Sequence, residues 1–487
     1  MRMAATGSSA VQAKRTPPSE KSMLPSAARL SLARVARGLF RLALLLVAAR
    51  TLGPEPFGIY ALLLTVNELL LFISGGGFID YVTREAARHP ANAYTLAARL
   101  TQLRCLYLLG LIALAVPVLR LLGYSQAVIG NTLLLSVALF PRSINESCKG
   151  LLRAAHAFQR FLWVEVLEGG ALVGTGTLLL LLRGAGIRGL IWAEMAAAGL
   201  GALVALRMVL QLFPAGQGMR FEWKAAVRKT YAFNIYPIIV DIYDRVDVVL
   251  LSKLAGNAAV GLYVMPYRIL PMLQVLPYGL MGVLLPTLSA TEQRPGEKES
   301  SSQALGLLYA SALFFALGAM LLSDVGIALA LGLRYQGSAV ALKILIWATI
   351  PMFLNNVYNT LLLARNREKV FLATASVCMV ANIASNLVLI PLYSYRAAAA
   401  VTILTELVLL AQNVVLVKRT LGYLPLPHNL AGSSLAFAVM LTVALPALRW
   451  VPPLVVGGVA VVVFGTYLYA SRTVQFSLRS HSAAMRS

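Results

Sequence analysis

The octapeptides GPEPFGIY, residues 53–60, and GNAAVGLY, residues 256–263, repeat the pattern Gly-x4-Gly-[Ile/Leu]-Tyr at a distance of 203 positions. Each follows an apolar stretch that ends near a basic residue, Arg50 or Lys253, and each leads into another long apolar stretch. Both therefore mark a hairpin between membrane-length helices, and the same hairpin twice in one chain points to a duplication. Glycine suits any turn where backbone must bend, so the shared tyrosine and shared flanks carry the reading more than the glycines do.

The chain around these motifs has 487 residues, 59% apolar and 13% charged, with a mean hydropathy of +0.76. Crossing hydrocarbon takes roughly 20 apolar residues, and such stretches recur from residue 30 almost to the end. Hydropathy and the polar breaks predict about fourteen transmembrane helices, at 30–49, 56–79, 97–119, 126–148, 161–182, 187–211, 229–252, 259–286, 303–330, 338–363, 370–391, 395–417, 429–448 and 451–471. The fold class is an all-α polytopic membrane protein.

A net charge of +23 raises the question of nucleic acid, and the distribution of the basic residues answers it. RFEWKAAVRK (220–229), ARNREK (364–369) and REAARH (84–89) are short, scattered loops that all fall on one side of the membrane. That is the positive-inside asymmetry, which places both termini in the cytoplasm and excludes a nucleic-acid surface. Residues 1–28 are polar, basic and without an apolar signal core, which predicts a disordered cytoplasmic tail. Cys105, Cys148 and Cys378 all lie in predicted spans without CxxC spacing, so buried inert thiols are expected rather than a disulfide framework or a metal site.

A second correspondence extends the duplication. ALFPRSINESCKGLLRAAHAFQR (138–160) matches ATIPMFLNNVYNTLLLARNREK (348–369), with Pro141, Asn145, Leu151 and Ala154 falling on Pro351, Asn355, Leu361 and Ala364 at an offset of 210. Six spans per copy is an even number, so the repeats are parallel, related by an axis along the membrane normal. Repeats of this kind usually enclose a cavity and rock against one another. The expected division is a six-helix lobe over 29–211, a cytoplasmic linker over 212–228, a second six-helix lobe over 229–418, two additional helices over 419–472 and a cytoplasmic tail over 473–487.

YDRVDVVLLSKLAGNAAVGLYVMPYRILPMLQVLPYGLMGVLLPTLS (243–289) resembles the seventh and eighth helices of the polysaccharide-transporter branch of the multidrug/oligosaccharidyl-lipid/polysaccharide exporter superfamily. ARTLGPEPFGIYALL (49–63) and REAAR (84–88) resemble its first hairpin and the loop after its second helix. The resemblance covers spans 1–12, while the last two match only in number and hydropathy. It implies two lobes around a central cavity and a flippase that moves an undecaprenyl-diphosphate-linked glycan across a bacterial cytoplasmic (inner) membrane. Under that reading no cofactor is needed beyond a coupling H+ or Na+. The partners are the lipid-linked glycan, membrane lipids and the glycan polymerase and export machinery, and the protein acts as a monomer.

A charge at the bilayer centre costs about 2.5–3.5 kcal/mol on insertion scales, so charges inside spans default to pairs or functional sites. Arg34, Arg37 and Arg41 share one face of span 1. Arg34 and Arg37 lie near its inner end, where snorkelling to lipid phosphate is an alternative role. With Arg245 in span 7 and Arg268 in span 8, these arginines are the candidate diphosphate-binding residues, because guanidinium binds phosphate oxygens bidentately. Glu68, Asp241, Asp244 and Asp247 are candidate coupling or gating charges. Asp241 and Arg245 stand four apart with the acid first, the favourable order for an intrahelical pair. The 203-residue offset also sets Asp244 opposite Arg41, which predicts a base facing an acid across the lobes. Glu165 and Glu168 open span 5 at shallow depth, where a simple interfacial location stands beside a functional one, and Arg104, Glu194, Lys343 and Glu406 read as helix-pairing charges. The GGG at 75–77 is a helix terminus or a hinge. Pro237, Pro266, Pro271 and Pro277 interrupt spans 7 and 8 and are the candidate hinges.

The sequence holds no HExxH, P-loop, dinucleotide fingerprint or nucleophile elbow, which argues against an enzyme or an ATP-driven pump. Two other functions stay open. A cation-coupled drug exporter of the same superfamily is disfavoured by a basic cavity, which repels cationic ligands. A non-transporting scaffold for glycan assembly is disfavoured by charges kept inside the spans.

Overall fold

In a computed structural model the described residues are 20–75, 78–181, 184–213, 223–289, 297–367 and 369–470, and among them there is no strand. Twelve helices are long and apolar enough to cross a membrane. Two more, Glu20–Leu52 and Trp223–Leu254, carry the charge-rich faces and complete a bundle of fourteen. In chain order the spans are 1, Glu20–Leu52; 2, Pro54–Ile73, followed by a short helix Phe78–Arg88; 3, Ala93–Leu121; 4, Gln126–Ser136 and Leu139–Ala154; 5, Phe158–Leu181; and 6, Gly186–Leu210. The second set is 7, Trp223–Leu254; 8, Asn257–Tyr267, Ile269–Leu273 and Val275–Ser289; 9, Glu297–Leu331; 10, Gln336–Leu345 and Thr349–Ala364; 11, Lys369–Tyr393; and 12, Tyr395–Leu421. Spans 13 and 14 are Leu430–Ala447 and Pro453–Ala470.

Span 1 starts at Glu20, inside the stretch read as tail, because Glu20, Lys21, Met23, Leu24, Ala27 and Ala28 are good helix formers and outweigh Pro25 near the helix start. Span 7 likewise starts at Trp223 rather than 229. Residues 1–19, 214–222 and 471–487, which hold most of the predicted tails and linker, lie outside the described residues, as do Gly76 and Gly77.

Proline places the breaks. A proline has no N–H for the carbonyl four residues back, and its ring crowds that carbonyl. Pro141 and Pro351 leave Val137 and Trp347 in this position, and spans 4 and 10 break there, at the same place in each repeat. Pro271 and Pro277 do the same to Tyr267 and Leu273, and span 8 breaks one residue later, at Arg268 and Gln274. Pro266 falls in the last turn of the first piece of span 8. Span 7 is a single helix through Pro237, whose side chain is outside the described set.

The repeated motif earns its residues by tertiary contact. Gly53 and Gly256 sit just before spans 2 and 8 with φ of 79° and 86°, a left-handed backbone that disfavours any side chain. The second glycine of each motif lies where spans 2 and 8 cross. A Cβ on Gly58 would overlap Asn257 O, and one on Gly261 would overlap Pro54 O. Small residues permit such backbone approach, which drives helix association where lipid and side chains are equally apolar.

This crossing joins the lobes at the end carrying the two Gly turns. Further clasps follow the same pseudo-symmetry: Tyr335 donates to Ala49 O at 2.9 Å and Tyr124 to Val249 O at 3.4 Å. Arg50 donates to Leu329 O at 2.9 Å, and Lys253 Nζ lies 3.6 Å from the Tyr124 ring centroid. One buried apolar cluster spans both lobes here, with Leu45, Phe57 and Leu63 from the first and Met265, Leu331 and Tyr335 from the second.

Spans 13 and 14 dock on the second lobe. Phe437 packs edge-on against Trp347 and Phe464, with centroids 5.7 and 6.3 Å away. The preceding loop is tied down by His428 N donating to Ser302 O at 2.9 Å and Tyr358 donating to Pro425 O at 3.0 Å.

Candidate functional site

Between the lobes, near the middle of span 2, Glu68 collects arginines from both. Arg245 Nε of span 7 donates to it at 3.2 Å, Arg268 at the first break of span 8 lies 3.6 Å away, and Arg41 of span 1 lies 4.0 Å away. Arg245 also holds Asp241 at 2.7 Å, as the four-residue spacing predicts, and its guanidinium stacks over Phe72, 4.5 Å from the ring centroid. Glu68 and Phe72 are one turn apart on span 2, so one arginine of the second lobe grips two successive turns of the first. The break that Pro271 makes in span 8 is what brings Arg268 to this point. Three of the five arginines singled out in the sequence thus converge on one carboxylate.

Two further groups of buried charges lie within the first lobe. Glu194 of span 6, 1% exposed, pairs with both Arg41 and Arg142 and accepts from Tyr60 at 2.6 Å. Glu165 of span 5, also 1% exposed, pairs with Arg37 and lies 3.0 Å from Lys149, which reaches Glu168 at 2.9 Å. Asn145 donates to Glu168 at 2.8 Å. Glu165 is therefore enclosed by protein and paired. Span 1 lies so close to span 5, with Phe40 against Gly169 and Leu44 against Gly176, that Arg37 meets Glu165 inside the lobe. Arg34 lies on the same helix, but its side chain is outside the described set.

The expected Arg41–Asp244 pair is not formed. Arg41 goes to Glu194, with Glu68 further off, and the Asp244 carboxylate has no hydrogen-bond or ion-pair partner among the described residues. The offset argument found the right helices but overlooked span 6, whose Glu194 is closer. Of the four single charges assigned to helix pairing, Arg104 pairs with Glu146, Glu194 with its two arginines, and Lys343 with Asp324 at 2.6 Å. Glu406 differs, because its partner is the Asn355 amide at 3.1 Å and not a base.

The repeat explains this asymmetry. Tyr60 and Tyr263, equivalent by the motif, each donate to a buried acid, Glu194 and Asp247. Asn145 and Asn355, equivalent at 210, each donate to a glutamate. The two bases on Glu194, however, have as counterparts Asp244 for Arg41 and Met352 for Arg142. Asp244, Asp247 and Glu406 consequently have no Lys or Arg within ion-pair distance among the described residues. The first lobe sets two arginines on Glu194, whereas the second leaves Asp244, Asp247 and Glu406 without a base among the described residues, although its Glu297 is paired with Arg365 at 2.6 Å.

Arg142, Lys149 and Glu146 were not singled out as site residues in the sequence. Their signal was present, since with Arg153 they make four charges in the amphipathic stretch 139–154, more than a lipid-facing helix tolerates. If Glu68 anchors Arg268 as drawn, a double-mutant cycle on Glu68→Gln and Arg268→Gln in chemical unfolding yields a coupling energy of about 1 kcal/mol, within the usual range for contacting charges. Strict additivity would refute the contact.

Two parallel six-span lobes closed at one end, with ion pairs running between them, form a fold that is shared with solved transporters of the MOP superfamily. An inward-facing multidrug resistance MATE family transporter of that superfamily matches with a TM-score of 0.64 and 14% identity, covering 82% of this chain and 98% of the other. The lipid II flippase MurJ, in an inward closed conformation, matches at 0.63 with 14% identity over 91% and 98%. An outward-facing MATE transporter matches at 0.57, with 14% identity over 82% and 95%. The model of the polysaccharide biosynthesis protein family matches residues 24–292, more than half of the chain, and the protein belongs to that family. No curated protein matches the sequence.

Proposed function

We propose that the protein is a flippase carrying an undecaprenyl-diphosphate-linked oligosaccharide from the cytoplasmic to the outer leaflet of a bacterial inner membrane by alternating access. The observation that carries this reading is the convergence of Arg41, Arg245 and Arg268 on Glu68 between the lobes. Arg41 and Arg245 also hold Glu194 and Asp241, so Arg268, whose one carboxylate within ion-pair distance among the described residues is Glu68, is the least neutralised of the three. A diphosphate can take the place of Glu68 there, because it offers more oxygens in the geometry guanidinium prefers. By the charge asymmetry of the loops, the clasped end is the outer one, so the substrate enters from the cytoplasmic side. Exchanging Glu68 for substrate loosens the tie between spans 2, 7 and 8 and so couples binding to rocking of the lobes. The unbalanced acids Asp244, Asp247 and Glu406 support a coupling H+ or Na+ in the second lobe, and the breaks of span 8 support bending there.

The test is the lipid-linked glycan pool of a strain lacking the gene, resolved by mass spectrometry. A diphosphate-linked oligosaccharide accumulates, the wild-type gene clears it, and Arg268→Ala and Asp244→Asn do not. An unchanged pool with raised sensitivity to cationic compounds would replace the flippase with a drug exporter. Clearance by Asp244→Asn at the wild-type rate would remove the coupling role alone.

A further inference from the structure

Span 8 continues past Arg268 into a feature that the charge network does not use. Its second and third pieces, together with span 9, border an apolar groove of about 550 Å³, lined by Met272, Leu276, Gly279, Leu280, Leu307 and Phe315. That volume falls within the roughly 300–1,000 Å³ typical of small-ligand pockets. The groove is open: Val275, Leu276 and Tyr278 are exposed, and a Cβ placed on Gly279 would meet no atom within 4 Å. It is also held in shape, because Gln274 at its upper break accepts from Asn356 of span 10 at 2.9 Å.

Its position relative to the arginines gives it a ligand. Met272 follows Arg268 by four residues, about 6 Å along a helix, so a basic side chain facing the inter-lobe charges is succeeded within one turn by purely apolar lining. An anionic head joined to a single hydrocarbon chain presents the same order of chemistry. We infer that the groove between spans 8 and 9 holds the first isoprenoid units of the carrier lipid while its diphosphate lies against Arg268. This rests on the proposed function and adds to it a tail-binding subsite and the route by which the chain leaves the cavity. Spans 13 and 14 pack along another face of the same stretch of span 9, touching Phe315 and Leu273 at the edge of the groove, and contribute no residue to the groove lining.

The test compares binding of inorganic diphosphate and farnesyl diphosphate to the purified full chain in detergent. Burial of several methylene groups makes farnesyl diphosphate bind at least about tenfold more tightly than inorganic diphosphate. Gly279→Trp and Leu276→Trp, which fill the groove, each remove that advantage and leave inorganic diphosphate binding unchanged, which also shows that the variants are folded. Survival of the advantage in both variants overturns the groove. So does its loss on adding an equal amount of phosphatidylglycerol, since the groove would then be an ordinary acyl-chain site. Failure of the wild type to bind inorganic diphosphate, with no effect of Arg268→Gln, overturns the diphosphate reading itself and the groove with it.

Discussion

Glu194→Ala is expected to destabilise the protein by about 3–5 kcal/mol, the cost of breaking a buried ion pair by removing one partner. Glu194 is the shared counter-ion of Arg41 and Arg142 and the acceptor for Tyr60. Without it Arg142 has no carboxylate within ion-pair distance among the described residues, and Arg41 keeps only Glu68 at 4.0 Å. The second repeat suggests the rescue. Its counterpart of Arg142 is Met352, so the double variant Glu194→Ala/Arg142→Met removes one stranded charge and is expected to recover a substantial part of the loss. Chemical unfolding in detergent or nanodiscs measures both variants. A loss below about 1 kcal/mol for the single variant, in the range of an exposed ion pair, would show that Glu194 is not the hub of a buried triad.

Gly261→Ala is expected to abolish transport with a smaller loss of stability, about 1–3 kcal/mol, the usual penalty for overpacking. The added methyl overlaps Pro54 O, and backbone cannot swing aside as a flexible side chain does. Spans 2 and 8 must separate, and the clasps of Tyr335 on Ala49 and Tyr124 on Val249 go with them. Gly58→Ala meets Asn257 O and behaves alike, while Gly326→Ala, where no atom lies within 4 Å, is neutral. Under the proposed function, clearance of the lipid-linked glycan gives the transport readout. Labelling of a Thr51→Cys variant with a membrane-impermeant thiol reagent reports opening at the clasped end, and rises in the Gly261 background. Equal behaviour of Gly261→Ala and Gly326→Ala would show that the crossing tolerates separation and is not what closes that end.

Much of the fold was legible before any coordinates, because the constraints that set it are local. Each span must be apolar over a bilayer's thickness, each proline must disturb the carbonyl four residues behind it, and a duplicated segment keeps its turn glycines. From these alone came the fourteen helices, the six-plus-six division, the Gly53 and Gly256 turns, the breaks of span 8 and the Asp241–Arg245 pair, whose members lie on one helix.

What only the tertiary structure decided was which charge meets which. A helix carries its charges at fixed angles, but the partner depends on the helix laid against it, and that choice is made by close contacts such as Gly169 on Phe40 and Gly261 on Pro54 O. Hence Arg41 meets Glu194 of span 6 rather than Asp244, and Glu165 is buried against Arg37 and Lys149. Hence also Glu68 receives arginines from three spans, and Glu406 receives, among the described residues, an asparagine and no base. Spacing along a chain determines which residues share a face, and the packing of faces, a property of the whole bundle, determines the electrostatics of the site.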